Sequence, residues 1–258
     1  WGSGSEYPGD ALTEHGVILV TVNYRLGPFG FFSHPELSAK TGSSGNQGFS
    51  DQIQSLKWVK ENISQFGGDP NNITIFGESA GSWSVNVLQA SPLAKGLFHK
   101  AIGQSGARLI PLTHLNKRTT YSKSAEELGL DWSKVMAGKN TPSLKELKKI
   151  PPMTLISNLE KDPLYTTQFD SLTVIDGTII PEDISKIFER GEQADVPILI
   201  GSTADEATPF DPKMLSPQLA SMSYKRLTHL AIDDMLPEVD SNIYDLYPID
   251  TELSLIHI

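Results

Sequence analysis

A serine between two glycines is the strongest chemical signal in the chain. It lies in Gly77-Glu78-Ser79-Ala80-Gly81, directly after an apolar run that ends at Phe76 and directly before a run that fits a helix. A serine at the apex of a sharp strand-to-helix turn projects its hydroxyl above the sheet edge, and the next helix points its N-terminus at the same place. The pattern predicts Ser79 as a nucleophile for acyl transfer, with the Ala80 N–H donating to the oxyanion. The alternative is an incidental turn with a structural serine.

The two glycines of this pattern have a steric explanation. At such a turn the strand and the helix nearly touch, so the residues two before and two after the serine must be small. Gly77 and Gly81 satisfy that requirement.

A serine nucleophile needs a base, which is itself oriented by a carboxylate. Asp205 and Glu206 follow an apolar run at 196–200, and catalytic side chains gather at the carboxyl ends of strands in open sheets. On chemistry alone either carboxylate could be the acid.

We assign none of the six histidines as the catalytic base for Ser79. The settings of five of them favour surface or packing roles, and the sixth lies in the terminal hexapeptide; they are His15, His34, His99, His114, His229 and His257. No pair has metal-ligand spacing, so we assign no metal and no cofactor.

Alternating strand and helix patterns surround the Ser79 motif. The expected elements are a buried strand at 17–22, a helix with an apolar stripe from Phe49 to Phe66, a strand at 73–76, a helix at 80–88 and a strand at 101–104. This order predicts an α/β fold with a mostly parallel sheet and helices on both faces.

The second half of the chain is more helical. Helices are expected at 119–128, 143–150 and 182–190, before a strand at 196–200. Residues 105–170 therefore form a helical excursion between two sheet strands, where an α/β enzyme places a cap over its site.

Composition excludes several classes of protein. Of 258 residues, 38% are hydrophobic and 20% charged, which is typical of a globular protein. The formal net charge is −10, without a basic cluster, which disfavours nucleic-acid partners and anionic membrane surfaces. The absence of cysteine excludes disulfides and a thiol nucleophile. No apolar stretch approaches the ~18 residues of a membrane span.

Strings spread in order over residues 1–210 resemble the type-B carboxylesterase/cholinesterase family of α/β-hydrolases. They are 22–27 (VNYRLG), 45–48 (GNQG) on to 58–59 (WV), 66–70 (FGGDP), 75–81 (IFGESAG), 96–102 (GLFHKAI), 104–106 (QSG), 196–201 (VPILIG) and 205–206 (DE).

The resemblance implies a role for each matching position. It makes Ser79 the nucleophile and selects Glu206 over Asp205 as the triad acid, although this chain has Ala207 where the family usually has glycine. Three further residues are candidates for the gorge, the deep pocket that leads to the nucleophile in this family: Glu78 and Ser105 match family positions there, and Trp83 lies one helical turn after Ser79. Glu78 either lines it or only shapes the turn, Ser105 supports it or is structural, and Trp83 walls the acyl pocket or belongs to the core.

The family's oxyanion loop, His-Gly-Gly-Gly, normally sits immediately before the Trp-Gly-Ser-Gly with which this chain begins, and its catalytic histidine lies past residue 258. Residues 1–252 are thus expected to be a partial α/β-hydrolase domain, an internal fragment that is inactive by itself. Residues 253–258 look like a read-through library adapter rather than native sequence.

The resemblance therefore implies a serine carboxylic-ester hydrolase that acts on a small-molecule ester through an acyl-enzyme. The alternatives are a non-catalytic adhesion or scaffolding member of the same fold, and a lactonase or amidase that uses the same site. The resemblance favours a secreted or periplasmic protein, and the residues themselves assign no compartment.

Overall fold

The computed structural model describes residues 8–107, 109–119, 122–161 and 173–203. The chain divides into two compact units, residues 1–199 and 200–258, and only residues 200–203 of the second are described. The helices are α1 (Asp10–Thr13), α2 (Gly27–Phe31), α3 (Pro35–Thr41), α4 (Gln47–Asn62), α5 (Ala80–Ala90), α6 (Ala125–Ala137), α7 (Leu144–Leu147), α8 (Pro152–Leu159) and α9 (Ile184–Glu189). The strands are β1 (Thr74–Glu78), β2 (Lys100–Gln104), β3 (Thr113–His114), β4 (Val174–Ile175) and β5 (Ile198–Gly201).

The sheet that carries the serine motif has the strand order β1-β2-β5. β1 and β2 are parallel, with Thr74 opposite Lys100 and Glu78 opposite Gln104, and α5 is the crossover between them. The Ala101 N–H donates to the Pro197 carbonyl at 3.0 Å, next to β5. The predicted strand–helix–strand unit is therefore confirmed.

The main core lies where α4, α5 and α9 pack against β1 and β2. Its buried members come from every one of these elements and include Phe49, Ile53, Ile75, Val85, Leu88, Ala101, Ile184 and Ile187. Because these side chains leave water together, they fix the helices that flank the serine motif relative to the sheet.

The predicted apolar stripe of α4 is confirmed except at its end. Phe49, Ile53, Val59 and Ile63 are buried. The α-helical spacing stops at Asn62, and residues 63–66 continue as a 3₁₀ helix. Phe66 is consequently exposed, and its ring lies 6.0 Å from that of Trp58.

The predicted buried strand at 17–22 is wrong for the part of the chain that the structure describes. These residues belong to no strand there, and the side chains of Val17 and Ile18 are 52% and 46% exposed. A β-branched run becomes a strand only when a neighbour accepts its backbone hydrogen bonds, and none of the described strands pairs with it.

Helices α6, α7 and α8 form a second core around Trp132, Met136, Leu155 and Leu159. α6 begins at Ala125, later than predicted, because the Ser124 side chain accepts from the Glu127 N–H in a capping box. α7 is shorter than predicted and begins after a second box, Ser143 with Glu146.

The strands β3 and β4 form a parallel pair that the sequence did not indicate. Buried Asn46, directly before α4, holds β4 in place. Its Nδ2 donates to the Val174 carbonyl at 2.7 Å, and its Oδ1 accepts from the Val174 N–H at 3.2 Å. Every helix in the described ranges is too short or too polar to cross a bilayer.

Candidate active site

Ser79 occupies the sharp turn between β1 and α5. Its backbone lies at φ 53° and ψ −116°, a conformation that costs a non-glycine residue about 1–3 kcal/mol. The Ser79 N–H donates to the Gln104 carbonyl at 2.9 Å, and the Ser79 carbonyl accepts from the Trp83 N–H at 3.0 Å. Both neighbouring elements therefore hold the strained residue in place.

The structure confirms the steric requirement for glycine at position 77 but not at position 81. A Cβ on Gly77 would lie 2.4 Å from the carbonyl carbon of Gly81, which is shorter than real contacts allow. A Cβ on Gly81 would meet no atom of the described residues within 4 Å. The requirement for a small side chain thus applies to the strand side of the turn.

The N-terminus of α5 points at Ser79. Ala80 is the first residue of this helix, and the first N–H groups of a helix have no partner within it. Both Ser79 and Ala80 are exposed. The positive end of the α5 helix dipole therefore lies at Ser79.

The residues that follow β2 pack against the Ser79 turn. Ser105 also has a positive φ, 51°, so the ends of two adjacent parallel strands each carry a strained serine. The buried Ser82 donates its Oγ–H to the Gly106 carbonyl at 2.5 Å. Sequence reasoning missed Ser82 and Gln104, since neither their type nor their spacing indicates contact with residues more than 20 positions away.

Of the other candidate residues, Glu78 and Trp83 belong to the elements on either side of this turn. Glu78 ends β1 and is exposed, and Trp83 is half-buried in the first turn of α5. Trp83 does not belong to the buried core clusters, which argues against a purely core role. Asp205 and Glu206 lie outside the described residues, as do His229, His257 and the hexapeptide 253–258.

Two of the described histidines make structural hydrogen bonds. His99 accepts from the Ile73 N–H at 3.1 Å through Nδ1. Buried His34 caps α3 by accepting from the Glu36 N–H at 3.2 Å, and burial lowers the pKa of His34. Neither one lies at the Ser79 turn.

One cavity, of about 410 Å³, lies elsewhere in the fold. Its lining includes His34, Glu36, Lys134 and Glu146, and no residue of the Ser79 turn contributes to it. Within the described part of the chain, no three His, Asp or Glu side chains are placed to hold a metal ion.

Comparison with known proteins identifies the family. The Carboxylesterase family model matches residues 1–249. Para-nitrobenzyl esterase of Bacillus subtilis (strain 168) is 42% identical over 212 residues, which cover 81% of this chain and 42% of that protein. Neuroligin-2 of Mus musculus is 36% identical over 211 residues, or 81% of this chain and 24% of that protein.

A solved structure of PNB esterase superposes with a TM-score of 0.75 and 36% identity, covering 100% of this chain and 53% of the other. The chain thus has the α/β-hydrolase fold, and it spans about half the length, or less, of the relatives it matches. On the family match and these similarities, the chain belongs to the carboxylesterase family.

Proposed function

We propose that the protein to which this chain belongs is a serine carboxylic-ester hydrolase that works through an acyl-enzyme. The observation that supports it most is the backbone of Ser79, held at φ 53° between β1 and α5 with its N–H bound to Gln104. A strained residue persists only where its surroundings fix it, and such residues cluster at active sites. The family match supports the same chemistry.

The proposed reaction begins when the Ser79 Oγ attacks the ester carbonyl carbon. A histidine from outside this chain takes the Ser79 proton and returns it to the leaving alkoxide as the C–O bond breaks. Glu206 holds this histidine in its reactive tautomer. The Ala80 N–H and the glycine N–H groups of an oxyanion loop stabilise the oxyanion. Water then attacks the acyl-enzyme, releases the acid and restores Ser79.

The domain organisation follows from the same proposal. Residues 1–252 belong in this proposal to one partial α/β-hydrolase domain, with a cap-like helical excursion at about 105–170. In this proposal the catalytic histidine and most of the oxyanion donors come from outside residues 1–258. Losing such groups costs several powers of ten in rate, so we expect this chain by itself to be inactive on esters.

The substrate we propose is a small-molecule carboxylic ester. The name of the para-nitrobenzyl esterase relative suggests para-nitrobenzyl esters as a first probe. The net charge of −10 disfavours a nucleic-acid partner, because such partners require clustered positive charge. An amide or lactone substrate would use the same serine, so a panel of ester, lactone and amide substrates distinguishes these activities.

The non-catalytic alternative has weak support. The name of neuroligin-2 does not describe an esterase, yet its sequence is 36% identical to this chain, compared with 42% for the para-nitrobenzyl esterase. The strained turn at Ser79 nevertheless has the small neighbours and the helix N-terminus that a nucleophile needs. A non-catalytic member of the fold does not need the nucleophile, and this chain has the serine in place at position 79.

The test is turnover of p-nitrobenzyl acetate by the complete protein. We expect Ser79→Ala and Glu206→Gln each to lower kcat by several powers of ten. Asp205→Asn is the matched control, because it removes the neighbouring carboxylate, and it should keep most of the activity. Loss in Asp205→Asn with retention in Glu206→Gln would reverse the assignment of the acid. Retention of turnover in Ser79→Ala would refute the proposed nucleophile.

A further inference from the structure

The segment that follows β2 touches the Ser79 turn at two backbone positions. The Gln104 carbonyl accepts from the Ser79 N–H at 2.9 Å. Gly106 lies so close to the Ser79 carbonyl that a Cβ on Gly106 would be 2.6 Å from that oxygen. The segment 104–106 is therefore in contact with both sides of the Ser79 backbone.

Ser82 fixes this segment in place. It lies on α5, three residues after Ser79, and its side chain is 0% exposed. Its Oγ–H donates to the Gly106 carbonyl at 2.5 Å. The hydroxyl thus joins the helix after Ser79 to the chain that packs on the Ser79 peptide.

The hydrogen bond from Ser82 to Gly106 matters because the Ser79 backbone is strained. A φ of 53° and ψ of −116° persist only while the surrounding contacts exclude relaxation. Without the Ser82 hydroxyl, the Gly106 carbonyl loses its donor and the segment moves to find another. The Ser79 peptide then gains room to relax, and its hydroxyl turns away from the direction of attack.

We propose that Ser82 is a positioning residue for the nucleophile: by holding Gly106 against the Ser79 carbonyl it keeps the Ser79 hydroxyl in its reactive orientation. The role rests on the proposed esterase function. Ser82 is buried below the turn and does not touch substrate. Its effect passes through Gly106 to Ser79.

The test measures how fast a fluorophosphonate labels Ser79 in the complete protein. We expect Ser82→Ala to lower the first-order labelling rate constant about tenfold, with a similar drop in kcat for an ester and little change in KM. The final labelled fraction reports how much protein is folded, and the rate constant reports how well the folded protein positions Ser79. A loss of stability alone would change only the fraction.

Ser133→Ala is the matched control. Ser133 is also 0% exposed, and its Oγ–H donates to a glycine carbonyl, that of Gly129, at 2.7 Å, in α6. We expect this variant to keep the wild-type rate constant. An unchanged rate constant in Ser82→Ala, or an equal drop in both variants, would overturn the proposal.

Gly106→Ala tests the same contact from the other side, because its Cβ must push the segment away from the Ser79 carbonyl. It should also slow labelling, and it decides the question if Ser82→Ala does not fold. A wild-type rate in Gly106→Ala would then refute the role of Ser82. A wild-type protein that is not labelled refutes the proposed function itself, and the role of Ser82 with it.

Discussion

Adding one methyl group at Gly77 tests the geometry of the Ser79 turn most sharply. The new Cβ in Gly77→Ala would lie 2.4 Å from the carbonyl carbon, 2.6 Å from the oxygen and 2.7 Å from the Cα of Gly81. Ordinary contact begins at 3.4 Å, so the end of β1 and the start of α5 must separate by 1.0 Å. All three clashing atoms are backbone, which leaves no side chain to move aside.

The expected loss follows from this separation. A displacement of about 1 Å at a reacting group costs on the order of 10²-fold in rate, or about 2.7 kcal/mol of transition-state stabilisation. The overpacking also destabilises the fold by about 1–3 kcal/mol. We expect Gly77→Ala in the complete protein to react about 100-fold more slowly with a fluorophosphonate, and to unfold at lower denaturant concentration.

Gly81→Ala is the control for stability. Its Cβ meets no described atom within 4 Å, and alanine is favoured over glycine inside a helix by up to about 1 kcal/mol. Gly81→Ala should therefore unfold no earlier than the wild type. A Gly77→Ala protein with the labelling rate and stability of the wild type would refute the close approach of β1 and α5 on which the site depends.

Three further predictions concern stability, measured by denaturant unfolding. Hydrogen bonds from Arg25 lower the pKa of Asp51, so their stabilisation is present above pH ~4 and is lost as the pH falls further. Asp51→Asn should cost about 0.5–1 kcal/mol at pH 7 for this partly exposed pair, and should flatten the loss of stability below pH ~4. Burial lowers the pKa of His34, so stability should fall as the pH drops below ~6.5, and His34→Asn, which keeps a capping acceptor, should remove that dependence. Asn46→Ala leaves the Val174 N–H and carbonyl unpaired and should cost about 2–4 kcal/mol; a loss below 1 kcal/mol would contradict the described bonds.

The Ser79 turn could be predicted because its determinants are adjacent in the sequence. An apolar run, a glycine, a serine and a helical pattern specify the strand, the turn and the helix within about 15 residues, and the structure has all three. The start of α6 was equally local. The pair Ser124 and Glu127 has the spacing of a capping box, which places the start of the helix at Ala125 rather than at residue 119.

The remaining features depend on contacts between distant residues. The bond from Ser82 to Gly106 joins residues 24 positions apart, and the bonds from Asn46 to Val174 join residues 128 positions apart. Residues 17–22 have the composition of a strand, but composition does not show whether a neighbouring strand is present to pair with it. Sequence patterns specify local conformation more reliably than they specify partners.

The most direct test of the account is to locate the covalent adduct of a fluorophosphonate on the complete protein. Tryptic peptides analysed by mass spectrometry should carry a single adduct, on Ser79, and the Ser79→Ala variant should carry none. An unmodified Ser79 in the folded protein, or an adduct that forms equally fast at another residue when Ser79 is replaced, would contradict the claim that Ser79 is the nucleophile.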